Sequence, residues 1–223
     1  CSLAWSAAIR PKRAAASSSI NKGGTVLNCT VSGNSANANG GGIYFYHSSW
    51  IVRDCAVSGN SANGGGGGIF FYLSSGIVLN CAVSSNRSLR NGGGVYCYQG
   101  GTVRSCTVSG NRTINNLGTG GGVFCGSGGT VQNCTIIGND AHTGGGVGCN
   151  AGGTLVNTII YSNTDDGLDG GRNSNVYSDS SESSCTFCCT APIVTGVGNF
   201  AADPLFVNAA ANDYRLQADS PCV

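Results

Sequence analysis

Methionine is absent from this 223-residue chain, and charged residues make up only 9% of it, against roughly 25% in typical soluble domains. Eleven basic and ten acidic residues leave a formal net charge of +1, so composition points to no nucleic-acid partner and no acidic one. No stretch of about 18 consecutive apolar residues occurs, and no membrane span is expected. Amphipathic runs of about ten or more residues are also missing, which excludes helical solenoids. The two histidines, His47 and His142, stand alone in turn-like segments, and no Ser-His-Asp or Cys-His set is assembled. Without methionine the chain does not begin at its initiator. A removed signal peptide is the expected reading, and 13 cysteines suit an oxidising, extracellular place.

What is present is a repeat of about 26 residues, polar positions included. GTVLNCTVSGN at 24–34 returns as IVRDCAVSGN at 51–60, IVLNCAVSSN at 77–86, TVRSCTVSGN at 102–111, TVQNCTIIGND at 130–140 and TLVNTIIYSN at 154–163. Between copies stand GGGIYFY, GGGIFFY, GGGVYCY, GGGVFCG and GGGVGCN. A fixed period built of short β-rich runs and glycine turns means a solenoid.

The phase of the apolar residues gives its cross-section. Val31, Val57, Val83, Val108 and Ile136 lie two residues after a cysteine column (Cys29, Cys55, Cys81, Cys106, Cys134), so both columns point inward along one strand. Val26, Val52, Val78, Val103, Val131 and Leu155 lie three before the Cys or Thr position, which breaks the alternation. The chain must bend between them, at Asn28, Asp54, Asn80, Ser105, Asn133 and Asn157, in the left-handed conformation that Asn tolerates. A second Asn column, from Asn34 to Asn163, marks the next turn. The glycine run adds a third strand with Ile43, Ile69, Val95, Val123 and Val147 inward. Three strands and three turns per coil predict an all-β, single-domain parallel β-helix of about six to seven coils. Residues 1–22 are an extension or cap, 23–163 the repeats, and 164–223 the final coil and a disulfide-stabilised C-terminal cap.

These motifs resemble the right-handed parallel β-helix proteins of the pectin-lyase-like superfamily. They are most similar to its extracellular repeat branch, the polymorphic outer-membrane protein repeats and the choice-of-anchor surface proteins. GGG-[IV] stands for the GGA-I motif of that branch and Val-x-x-Asn for its F-x-x-N. The tail ADPLFVN, NDYRLQ and SPC at 202–222 resembles the family's terminal coil. The resemblance covers roughly residues 23–223. In such relatives the chain runs on past Ser-Pro-Cys, so processing or a trimmed mature unit is expected here. Enzymes of the superfamily work through clustered Asp with Lys or Arg on the outer face of the strand sheet. The corresponding outward positions here are Tyr44, Phe70, Tyr96 and Phe124, with Tyr46, Tyr72 and Tyr98 beside them. None is an acid or a base, no pair of positioned carboxylates appears, and no enzyme and no cofactor are expected.

Those seven aromatics are the leading surface feature: an exposed strip for a second subunit or for a polysaccharide, or a self-stabilising ladder. Sheet positions Thr30, Ala56, Ala82, Thr107 and Thr135, beside Ser32, Ser58, Ser84 and Ser109, make a small neutral face that resembles ice-binding β-solenoids. Asp165, Asp166 and Asp169 form the one acidic cluster, a weak Ca²⁺ candidate against a solvated turn. Cys185, Cys188, Cys189 and Cys222 lie outside the repeat, and disulfides among them are expected to close the last coil. Cys1 is lipidated, bridged or free. Of four glycosylation sequons, Asn28 and Asn133 are expected to be unmodified in a corner ladder, and Asn86 and Asn111 to be open to glycan in turns. Residues 1–22, with Leu3, Trp5 and Ile9, cap the first coil or reach a neighbour; extended, they span about 75 Å, against about 30–35 Å for the coils.

The combined expectation is a non-enzymatic, secreted, self-assembling filament or surface-layer subunit that pairs with itself. A carbohydrate-binding adhesin or stalk module stands second, and a polysaccharide lyase or hydrolase third.

Overall fold

The computed structural model describes residues 16–19, 24–47, 49–166, 175–179 and 181–223. Every pairing in its four long sheets is parallel, between strands one repeat apart. Sheet A collects the glycine-run strands, from Ile43–Tyr46 to Val176–Ser178. Sheet B runs from Thr25–Leu27 to Ser183–Thr186 and sheet C from Thr30–Ser32 to Cys189–Thr190. Sheet D, from Ser35–Ala36 to Thr164–Asp165, makes a fourth side where three were expected. Its strands are two residues long, too short for an alternation to announce them.

The corners follow from backbone chemistry. Between sheets B and C the chain turns on left-handed residues, with φ of 52° at Asn28, 54° at Asp54 and 47° at Asn157, as the sequence predicts. Between C and D the bend falls on the residue before the second Asn column, Gly59 at 63° and Ser85 at 55°. The asparagines themselves then point inward, a correction to their placing as turn residues. Asn34 and Asn60 donate both backbone N–H and side-chain N–H to the Oδ1 of the next asparagine, and the pattern continues through Asn86, Asn111, Asn139 and Asn163 to Asn175. From Asn60 onward each amide also donates to the apolar residue of the coil above, as Asn86 does to the Val57 carbonyl at 2.9 Å. A buried amide with both hydrogens and its oxygen used costs no unsatisfied group. Glycosylation at Asn86 and Asn111 is thereby overturned: they are 1% and 0% exposed. The exposed sequon asparagines are Asn28 and Asn133.

The triple glycine serves this ladder. Gly66 turns the chain at φ +65°, a Cβ on Gly67 would lie 2.4 Å from the Gly93 carbonyl, and one on Gly68 would press the Asn86 amide at 3.0 Å. The core is a set of in-register columns, Val52–Val78–Val103–Val131 and Val57–Val83–Val108–Ile136 among them, at essentially zero exposure.

Both ends add strands to the long sheets. Ala16–Ser19 pairs in parallel with Ile43–Tyr46, so this part of residues 1–22 lies over its own chain's first coil, the capping alternative, rather than reaching a neighbour. Residues 183–190, SSCTFCCT, form a seventh half-coil: Leu155 aligns with Cys185 and Ile159 with Cys189, while Phe187 takes the left-handed corner at φ 54°. Cys185, Cys188 and Cys189 therefore stand inside the repeat, not outside it.

Candidate functional site

The cysteine column behaves as a hydrogen-bonded ladder. Cys55 Sγ accepts the Cys29 N–H at 3.3 Å and donates to the Arg53 carbonyl at 3.1 Å, and Cys81 repeats both contacts. In coil six Thr158 substitutes chemically: its hydroxyl accepts from Cys134 N and donates to the Val156 carbonyl at 2.9 Å. Contact with the Cys134 and Cys81 thiols, then burial, pushes the Cys106 thiol well above the ordinary cysteine range. Contact with Cys125, then burial, does the same to Cys149, which stacks on Cys125 on the inner side of sheet A. Cys106 and Cys149, held neutral in this way, are poor nucleophiles and poor metal ligands. They fill space in the core.

The aromatic face is more closed than its sequence suggests. Tyr46, Tyr72 and Tyr98 stack at 5.2 Å and 5.0 Å with ring planes 6° and 14° apart. Beside them Tyr44 stacks on Phe70 at 5.4 Å, and Tyr96 meets Phe70 and Phe124 edge to face at 4.7 Å and 4.9 Å. Phe70 and Phe124 are each only 3% exposed, so the expectation of a fully exposed strip is corrected. Each outward ring covers its neighbour of the adjacent coil, and small residues let them close: Gly148 lies under Phe124 and Thr119, Gly65 beside Tyr96. Burial raises the Tyr44 and Tyr96 hydroxyl pKa values above their usual range. Tyr46, at 42% exposure, is the most open, and Tyr72 and Tyr98 are half-buried. A stacked ladder spends its ring faces on itself and shows edges and hydroxyls outward. Sugar stacking needs a free face, so this geometry favours the self-stabilising ladder over a saccharide platform.

Asp165 and Asp166, the described members of the acidic cluster, do not converge. Asp165 is buried on the inner side of sheet D, whereas Asp166 is exposed and pairs with His142 at 3.3 Å. Asp169, Leu3, Trp5, Ile9 and Cys1 lie outside the described residues. Among the described residues no group of three or more His, Cys, Asp or Glu is placed to hold a metal ion. Arg53–Asp54 at 3.1 Å, at a sheet B–C corner, and Arg112–Asp140 at 2.9 Å, across sheet D, are separate exposed pairs. No helix among these residues is long and apolar enough to cross a membrane.

The ends differ most. Beyond Thr190 the chain doubles back over its own last coil. Phe187 donates to the Val197 carbonyl, Thr190 to that of Phe200, and Phe200 to that of Cys188, at 2.9–3.0 Å. Asn199 accepts from Cys188 N and donates to the Cys185 and Val194 carbonyls. A hairpin, Phe206–Asn208 with Asp213–Leu216, then lies beside sheet C, where Asn212–Arg215 and Ala82, Ser84, Thr107 and Ser109 wall a groove. The hairpin thus forms one wall of that groove and the small neutral face the other. In the first coil only sheet A has a strand above it among the described residues. Val31 is 6% exposed where Val57 and Val83 are 0%, and Cys29 and Val26 are half-buried.

Sequence comparison adds the family. A model described as right handed beta helix region matches residues 12–130, more than half of the chain. No curated protein and no solved structure matches it.

Proposed function

The chain belongs to the right-handed β-helix family, and from that premise we propose that it is a non-catalytic structural subunit that associates with its own copies outside the cell. The observation that carries this reading is the asymmetry of the ends. In coils two to four the residue after the cysteine column donates upward, Ala56 N to the Cys29 carbonyl, Ala82 N to Cys55 and Thr107 N to Cys81. Thr30 holds that position in coil one, and no described residue lies above it on sheet C. Such an edge templates pairing with another strand, and the low charge provides little repulsion against it.

One open edge joins two copies around a two-fold axis and closes there. Growth into a filament or surface layer then uses a second, lateral contact, for which the Tyr46–Tyr72–Tyr98 strip supplies edges and hydroxyls. The absence of catalysis is supported by the outer face of sheet A, where rings and glycine stand in place of acids and bases.

Sedimentation of the full chain across a broad concentration range tests the proposal. The sedimenting mass should rise with concentration. Thr30→Pro, which removes the upward N–H, should weaken association by about tenfold or more. A monomer at every concentration, or unchanged association in Thr30→Pro, overturns it. Polysaccharide binding by the monomer would favour the adhesin reading instead.

A further inference from the structure

We propose that Cys189 and Cys222 are joined by a disulfide that clamps the C-terminal tail to the solenoid. Cys189 occupies the outward column of sheet C, in register with Ile159. The same column is exposed at Thr30, Ala56 and Ala82, yet Cys189 is 2% exposed, because the tail lies over it. Its thiol donates to the Ala202 carbonyl at 3.3 Å, and it lines one groove together with Pro221 and Cys222, whose thiol hydrogen-bonds it. Both thiols are reduced in the structure.

What makes this pair different is what it joins. The ladder thiols satisfy themselves along the solenoid, each on the carbonyl two residues before it. Cys185 and Cys188 touch each other within one coil. Cys189 and Cys222 link the solenoid to a segment outside it. The tail's own bonds are internal: Gln217 N to the Leu205 carbonyl, Ser220 Oγ to that of Pro204 at 2.6 Å, and Cys222 N to Ser220 Oγ at 3.1 Å. Among the described hydrogen bonds of residues 201–223, the one that reaches the solenoid comes from the Cys189 sulfur. A tail so held gains most from a covalent link, which also closes a long loop in the unfolded chain.

The chemistry balances through exchange with an incoming small-molecule or protein disulfide. The Cys222 thiolate, on the more open residue, attacks one sulfur of that disulfide, forming a mixed disulfide and releasing one thiol. Cys189 then loses its proton and displaces the second thiol, leaving the Cys189–Cys222 bond. Burial, then contact with Cys189, pushes the Cys222 thiol up to about 12, so closure should accelerate as pH rises toward that value.

The proposal does not depend on self-association, and its test reads the bond itself. Full-length protein made by an oxidising secretory route is denatured and alkylated without reductant, digested and weighed. The peptides carrying Cys189 and Cys222 should appear linked, two hydrogen masses light, and separate only after reduction. Recovery of both as alkylated thiols, or of Cys222 bonded to another cysteine, overturns the proposal. In limited proteolysis, Cys222→Ser and reductant-treated wild type should both be cleaved within 201–223 several-fold faster than untreated protein, and Cys189→Ser/Cys222→Ser no faster than the single variant. Equal cleavage of all forms would contradict a clamp.

Discussion

The first coil and the last are built from the same repeat and finished differently. Coil seven is closed by its own chain: Asn199 and the backbone of Val197 and Phe200 take up the strand-edge groups, and the tail covers the outward sheet C residue. Coil one has Ala16–Ser19 over sheet A and no described strand over sheets B, C and D. The contrast teaches that a β-solenoid's interior sets its architecture while its ends set its company, because only at the ends are backbone groups left for a partner.

The largest expected effect comes from cutting the buried ladder far from both ends. Asn86→Leu takes the acceptor from Asn60 N and Nδ2 and removes the donor to Val57 and Asn111. It should lower unfolding stability by about 3–5 kcal/mol in urea titration. Asn34→Leu, at the end where the described ladder stops, should cost about half as much. Equal losses would erase the distinction between middle and end. Gly67→Ala comes next: its Cβ meets backbone atoms of Gly93 and Arg87 at 2.4–2.5 Å, which should cost about 2–4 kcal/mol by the same measurement.

How much of this was legible in the sequence differs between the same two regions. In coils one to six, Val, Cys and Asn recur at fixed phase, so the columns, the left-handed corners and the parallel pairing could all be read. Coil seven was expected only as a final coil somewhere within 164–223; its register could not be read, since Cys185 replaces a column Val, Cys188 follows a Thr in the ladder, and a phenylalanine, Phe187, takes a corner usually held by Asn. Burial was the harder part. A polar Asn looks like a turn residue until a second Asn stands one coil below to accept its amide. Outward Phe70 and Phe124 look exposed until the rings of adjacent coils are seen to close over them. The shared grammar of Cys and Thr in the thiol ladder was likewise hidden by residue type.

That grammar gives a smaller prediction. Thr158→Cys should be close to neutral, because a thiol does the same work in the coils above, whereas Thr158→Val should lose about 1–2 kcal/mol by leaving the Cys134 N–H unpaired. The smallest effect is local to the hairpin. The hydrogen bonds from Arg215 hold the Asp213 carboxyl down to about 2. Followed by NMR, Asp213 should titrate near that value and return toward the usual carboxylate range in Arg215→Ala. Because its folded pKa is depressed, whatever the pair adds is present above the ordinary carboxylate pKa and lost as pH falls toward 2.

The most direct test of the account is amide hydrogen exchange of the full chain measured at low and high protein concentration. Exchange at Thr30 and Ser35, on the first-coil edge, should slow as concentration rises, while Thr190 and Phe200, bonded within the C-terminal cap, should exchange at a rate independent of it. Protection of Thr30 and Ser35 that is the same at all concentrations would mean that this edge is closed within a single chain, and would contradict self-association through it.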